Sequence, residues 1–325
     1  MIICLGEALI DMVRREIPGG GEAFLPLPGG SPYNTAVAIG RLGTPVKFLG
    51  CLSRDFFGEI LLGRLRENGV GDELIARTDR NSTLAFVRLE PGKEPRYVFY
   101  TEETADRSFS AGDLEAKLPG GDLPPGTRCI LFGSISMTME PAASTIESLV
   151  LAQGRKETGP VISLDPNIRP FMIPDRDAYV RRFESWLSAV TIVKISEADL
   201  EYIYPGLGRE KALNRVLSLG PALAVCTLGP AGAEALTRRE SGSPKISVPA
   251  ADSPVADTIG AGDTFHGALL SWLESKGRMS RAAVEALDRE ELREALRFAN
   301  RAAALVCGRR GAEPPTRAEV EALRG

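Results

Sequence analysis

A strand-helix alternation through the second half of the chain predicts an α/β fold, with a mostly parallel central sheet covered by helices on both faces. Short, mostly apolar runs such as 161–164, 192–195 and 222–226 read as strands buried on both sides. Polar and glycine-bearing stretches follow these runs, where α/β sheets gather ligands. Four alternating segments in the first third read as a separate, smaller β-sheet.

From the N-terminus, residues 2–10 read as a buried strand, with Asp11 where the strand leaves the core. Strand-like pieces at 12–17 and 23–27 flank a turn at Pro18-Gly19-Gly20-Gly21. Gly29-Gly30-Ser31-Pro32-Tyr33-Asn34 then opens an alanine-rich helix expected over 35–42. A strand over 46–52 and a helix over 56–68, ended by Gly69, come next. Residues 83–89 and 95–101 alternate as a hairpin about Glu90-Pro91-Gly92-Lys93. With 12–27 they form a small sheet outside the main layer, an edge extension of it, or a surface for a second copy. Strands 129–132, 161–164, 192–195 and 222–226 alternate with helices 142–152, 176–189 and 198–202. Helices to about Gly277 and over 291–307 close the chain.

At 325 residues there is room for one large α/β domain with a smaller appendage. A net charge of −4 gives no reason to expect nucleic acid or a membrane surface as partner. No apolar run is long enough to span a bilayer, and Ile2-Ile3-Cys4-Leu5 enters as a strand without a basic leader. A cytoplasmic protein is expected, its five isolated cysteines (4, 51, 129, 226, 307) reduced and mostly buried. His266 is the single histidine, which excludes an H-E-x-x-H zinc site. No G-x-S-x-G is present, Gly92-Lys93 is followed by Glu94, and position 265 is Phe. These facts argue against a hydrolase elbow, a Walker loop and a dinucleotide fingerprint respectively.

The chemistry concentrates in Asp257-Thr258-Ile259-Gly260-Ala261-Gly262-Asp263, followed by the helical apolar pattern Phe265, Ala268, Leu269, Leu270, Trp272, Leu273. The first turn of a helix leaves N–H groups unpaired and carries positive partial charge, so it attracts anions. Gly260, Ala261 and Gly262 let a phosphate approach that backbone. A carboxylate in the same turn, Asp263, is explained economically as a base that takes a proton from a hydroxyl while the N–H groups hold phosphoryl charge. The bland alternative is a capped helix after a tight turn.

This string resembles the D-T-x-G-A-G-D signature of the ribokinase-type (PfkB) carbohydrate kinases, and the likeness covers nearly the whole chain. It implies a ribokinase-like fold: an α/β kinase domain of 1–11, 28–82 and 102–325, with a β lid of 12–27 and 83–101. It implies ATP and Mg²⁺ as cofactors, a monovalent cation such as K⁺, and a homodimer formed through the lid. Asp11, Gly29, Gly30 and Asn34 match the positions that hold the sugar, and Asp165-Pro166-Asn167-Ile168-Arg169 matches D-x-N-x-R, adding Asn167 and Arg169. Thr227-Leu228-Gly229-Pro230-Ala231-Gly232 matches the nucleotide loop; Lys194 and Asn300 are assigned to the nucleotide as well. The family's N-x-x-E stands here as Ser196-Glu197-Ala198-Asp199, which assigns Asp199 to Mg²⁺ through water. Asp257 and Gly311 match the monovalent-cation loop. The substrate-facing stretches are most like bacterial fructokinases, so a primary hydroxyl of fructose is the expected acceptor. Ketodeoxygluconate, ribose and nucleosides are alternatives within the family, and a catalytically silent sugar- or nucleotide-binding regulator is the alternative outside enzymes.

Overall fold

The computed structural model describes residues 1–16, 21–88, 96–240 and 245–323. In chain order its elements begin with β1 (Ile2–Leu5), β2 (Leu9–Glu16), β3 (Glu22–Gly29), α1 (Ser31–Arg41), β4 (Val46–Ser53) and α2 (Phe56–Glu67). They continue with β5 (Val70–Gly71), β6 (Ile75–Thr78), β7 (Thr83–Arg88), β8 (Arg96–Tyr100), α3 (Ala111–Lys117) and β9 (Cys129–Gly133). Next come α4 (Ala142–Gly154), β10 (Val161–Asp165), α5 (Arg176–Leu187), β11 (Ile192–Ser196), α6 (Glu197–Ile203), α7 (Arg209–Ser218) and β12 (Leu223–Thr227). The last are β13 (Ala233–Thr237), β14 (Ile246–Val248), α8 (Ala261–Ser275), α9 (Arg281–Glu285), α10 (Arg289–Cys307) and α11 (Arg317–Ala322).

The main sheet runs β14-β13-β12-β11-β10-β9-β1-β4-β5, with β6 also paired to β4. From β12 to β5 and β6 the pairing is parallel, as expected. At the β12 edge two strands that the sequence reading did not assign, β13 and β14, add antiparallel, so the sheet is mostly parallel. Alternation along the buried strands divides the core in two. Ile2 and Cys4 join one cluster with residues of α1, α2, α8 and α10. Ile3 and Leu5 join the other, with α4, α5 and α7. Leu269, Leu270 and Leu273 on α8 are wholly buried, each contributing about 1.5–3 kcal/mol by leaving water.

The second sheet has the order β3-β2-β7-β8. Here the expected strand 2–10 divides: the first strand ends at Leu5, and Leu9 starts a different one. Asp11 therefore lies inside β2, opposite Leu27 and Ala85, and not at the end of a core strand. The pairing registers put Leu9, Asp11, Ala85 and Phe99 on one face. Leu9, Ala85 and Phe99 pack there with Ile135, Met139 and Met172 of the main body. The turn expected at 18–21 lies, apart from Gly21, outside the described residues, as does the one at 90–93.

Candidate active site

Two helix N-termini, those of α1 and α8, meet at the carboxyl ends of the parallel strands. Helix α1 begins at Ser31, four residues before the expected start, with Gly30 as its N-cap and a proline in its first turn. Glycine offers no capping oxygen, and Glu7, just past β1, supplies one from a distance. Its carboxylate accepts from Ser31 N at 3.1 Å and Ser136 N at 3.2 Å. Burial pushes the Glu7 carboxyl up to about 7, against hydrogen bonds from Ser134, Ser136 and Ser31 that act to lower it.

Ser31 and Asn34 stand three apart on α1 and so face the same way. Ser31 Oγ donates to Asp263 Oδ1 at 2.6 Å, and Asn34 Nδ2 donates to Oδ2 at 2.9 Å. Burial raises the Asp263 carboxyl and the charge of Asp165 adds to this, whereas the Ser31 and Asn34 bonds and the Lys194 ammonium act the other way. Asp263 lines a cavity of about 260 Å³ together with Asp11, Gly30, Asn34, Asn167, Arg169, Lys194 and the 257–262 turn. Leu9, Phe99 and Ile135 form its apolar wall. Asp11 is pushed up to about 7 by burial and by Asp263, with Arg169 drawing it down. Asn167 sits in the left-handed region at φ 37°, and Arg169 Nη1 donates to its side-chain oxygen at 2.9 Å. Gly29 is not itself in the wall; a Cβ there would come within 2.2 Å of Asp11 Oδ2.

Gly260 caps α8 in the left-handed conformation, φ 75°, where a Cβ would press to 2.8 Å from Ala312 Cβ. The N–H groups of Gly262 and Asp263 donate to nothing among the described residues. They are unspent donors at the positive end of a fifteen-residue helix.

A second cavity, of about 530 Å³, lies on the other side of this turn. Thr227, Gly229, Gly232 and Asn300 line it, and Thr258, Ala261 and Gly262 belong to both cavities. Asn300 Nδ2 is committed to Val248 O at 3.2 Å and Pro249 O at 2.9 Å, so it braces the wall of this cavity. Asp257 ties the nearby loop together, accepting from Ile259 N at 3.1 Å and Gly311 N at 3.0 Å. Asp199 Oδ1 accepts from Ile168 N at 3.0 Å, and Ser196 Oγ accepts from Asp199 N at 3.0 Å.

Of the residues singled out in the sequence, Asp11, Gly30, Asn34, Asn167 and Arg169 line the smaller cavity and Thr227, Gly229, Gly232 and Asn300 the larger; Lys194, assigned to the nucleotide, lines the smaller one, and Gly29, Asp199 and Gly311 line neither. Ser31, Glu7 and Phe99 were not among those singled out. Ser31 carried a signal, since a proline at 32 marks a helix first turn. Glu7 carried only the oddity of an acid at the end of an apolar strand, and its partners are distant in sequence.

Comparison with known proteins identifies the family. The family model described as pfkB family carbohydrate kinase matches residues 1–319. A fructokinase of Rhizobium leguminosarum bv. trifolii is 38% identical over 90% of this chain and 86% of its own. Fructokinase-1 of Oryza sativa subsp. japonica is 32% identical over 100% of this chain and 97% of its own. Among solved structures, a fructokinase from Xylella fastidiosa with bound ATP superposes with a TM-score of 0.85 at 32% identity, over 99% of this chain and 97% of the other. The chain belongs to the pfkB family of carbohydrate kinases, enzymes that transfer a phosphoryl group to a sugar hydroxyl.

Proposed function

We propose that this chain is a fructokinase that transfers the γ-phosphoryl group of ATP to a primary hydroxyl of fructose. The observation that carries the reading is the place of Asp263. It is a buried carboxylate lining the smaller cavity, directly after the turn that both cavities share, beside two N–H groups with nothing to donate to among the described residues. Whole-length likeness to proteins named fructokinase, at 32–38% identity, supports the choice of sugar.

The sugar occupies the smaller cavity. Asp11, Asn34, Asn167 and Arg169 offer it donors and acceptors, and the Leu9–Phe99–Ile135 wall covers its carbon face and keeps water out. Phosphoryl transfer passes through a loose transition state, so positioning and charge neutralisation do most of the work. Asp263 accepts the hydroxyl proton late in the transfer, a contribution of roughly a hundred- to ten-thousand-fold. The amides of Gly262 and Asp263 hold the transferring group, with Gly260 and Ala261 shaping the turn. Thr227, Gly229 and Gly232 receive the nucleotide, and Lys194 meets its phosphates.

Among the described residues no group of three acidic, histidine or cysteine side chains could cage a metal. That fits Mg²⁺, which keeps several waters and is shared with phosphates. Asp199 would hold it through water, and the ion would neutralise charge on the phosphate oxygens. The Asp257–Gly311 contact places the two candidate loops for a monovalent cation together. A homodimer would use the outer face of the lid, where Phe24, Val98 and Tyr100 are exposed.

An acidic sugar such as 2-keto-3-deoxygluconate could pair with Arg169, but that guanidinium already faces Asp11, and the carboxylates of Glu7, Asp11, Asp257 and Asp263 around one small cavity disfavour another. ADP release should be measured with fructose, ribose, 2-keto-3-deoxygluconate and nucleosides. Fructose is expected to give the highest kcat/KM. A higher value for another acceptor overturns the sugar assignment, and no turnover with any acceptor favours a silent regulator.

A further inference from the structure

A buried polar cluster lies directly beneath the turn shared by the two cavities. Strands β10 and β11 pair in parallel with Leu164 opposite Val193, which sets Asp165 beside Lys194. Lys194 Nζ donates to Asp165 Oδ2 at 2.9 Å. Ser163, two residues before Asp165, shares its face of the sheet, and its Oγ lies 2.7 Å from His266 Nε2. His266 Nδ1 is 4.0 Å from Asp165 Oδ2. Lys194 and Asp165 are each 4% exposed, and Ser163 and His266 are 0% exposed. His266 Nδ1 and Asp165 Oδ1 are buried without a hydrogen-bond partner.

Burial holds the imidazole at about 4, so it is neutral and carries one N–H. Placing that hydrogen on Nδ1 points a donor at the Asp165 carboxylate and lets Ser163 donate to Nε2. The other tautomer points a lone pair at a negative charge, so the first is preferred. The ammonium is meanwhile fixed from above: a Cβ at Gly262 would come within 3.0 Å of Lys194 Nζ. It therefore lies next to the amides that hold the phosphoryl group. Burial is the largest single influence on the Lys194 ammonium and acts to lower it, but Asp165, Asp263 and Asp199 together act the other way, and the net shift is upward.

The Lys194 ammonium already assigned to the phosphates has a built support: we propose that Asp165, oriented by His266 and Ser163, is a positioning residue that keeps this ammonium under Gly262, where the transferring phosphoryl group is held, and away from Asp263. Four groups face Lys194: Asp165 and His266 below it, Asp263 on α8, and Asp199 on α6. Without Asp165, the nearest charge of opposite sign on the reaction path is the catalytic carboxylate itself. An ammonium paired with Asp263 turns the base from the acceptor hydroxyl and leaves the phosphoryl group uncompensated.

The inference rests on the kinase reading of this site, and the test separates the two. Lys194→Met is expected to lower kcat about 100-fold, the scale of losing one transition-state donor, with the sugar KM within threefold of the parent. Asp165→Asn leaves a buried ammonium without its counter-charge, which lowers its pKa. That variant is expected to be active at pH 6.5 and to lose a further tenfold or more in kcat between pH 7 and 9, where the parent is flat. The double variant Asp165→Asn/Lys194→Met removes both charges of a buried pair, an exchange that proteins commonly tolerate. It should fold and show low, pH-independent turnover. A Lys194→Met enzyme within threefold of parental kcat overturns the proposal, as does an Asp165→Asn profile parallel to the parent's. Asp263→Asn run alongside tells the failures apart: if it too stays active, the kinase reading of the site falls, and if it alone is inactive, only the role of Lys194 and Asp165 falls.

Discussion

Gly29→Ala tests how closely the strands of the second sheet hold Asp11, the carboxylate proposed to bind the sugar. Gly29 ends β3 and its backbone lies outside the left-handed region, so alanine adds a methyl group without backbone strain. That methyl carbon would lie 2.2 Å from Asp11 Oδ2. An ordinary carbon–oxygen contact is about 3.3 Å, so the carboxylate must retreat by about 1 Å. Such a shift breaks a hydrogen bond between Asp11 and a sugar hydroxyl, and bonds to charged groups contribute about 1.5–3 kcal/mol. At 1.4 kcal/mol per decade the sugar KM should rise roughly 10- to 150-fold. The nucleotide cavity lies across the α8 turn and does not include Gly29, so the ATP KM should stay within threefold. Steady-state ADP release, with each substrate varied against saturating concentrations of the other, gives both constants. A sugar KM within threefold of the parent, or an equal rise for ATP, would refute the placement of Asp11.

Two further outcomes follow from the same geometry. Because Asp11 is pushed up to about 7 in the free protein and must be ionised to accept from the sugar, kcat/KM for the sugar should fall as pH drops through 7, about tenfold per unit. Arg169 draws Asp11 down, so Arg169→Met should move this acid limb to higher pH; a profile flat to pH 5.5 would contradict both statements. Asn300→Leu removes the two bonds that brace Val248 and Pro249, about 1 kcal/mol each. The ATP KM should rise roughly tenfold while the sugar KM stays put, and an unchanged ATP KM in a direct titration would remove Asn300 from the nucleotide wall.

The main sheet was legible because its strands are buried on both faces and read as short, mostly apolar runs, broken only by single residues such as Ser163 and Lys194. The same property hid the break between β1 and β2: Ile2 to Ile10 is nearly all apolar, and hydropathy does not mark where the chain leaves one sheet for another. The antiparallel edge was missed because Ala233–Thr237 and Ile246–Val248 are short and carry little alternation. At the site, Asp263 and its glycines were visible because a helix N-terminus is a local feature. Asp165 was quoted as part of a motif, yet its pairing with Lys194 depends on the register of two strands. Glu7 serves Ser31 and Ser136, 24 and 129 residues away, which no local pattern encodes.

The catalytic role of Asp263 is tested most directly by the turnover of Asp263→Asn with ATP and fructose. The amide keeps the size of the side chain and an oxygen able to accept from Ser31 or Asn34, so the protein should fold and bind ATP with a KM within threefold of the parent. Loss of the base should lower kcat by roughly a hundred- to ten-thousand-fold, or about 2.7–5.4 kcal/mol at 1.36 kcal/mol per decade. A folded Asp263→Asn enzyme turning over within tenfold of the parent would contradict the mechanism.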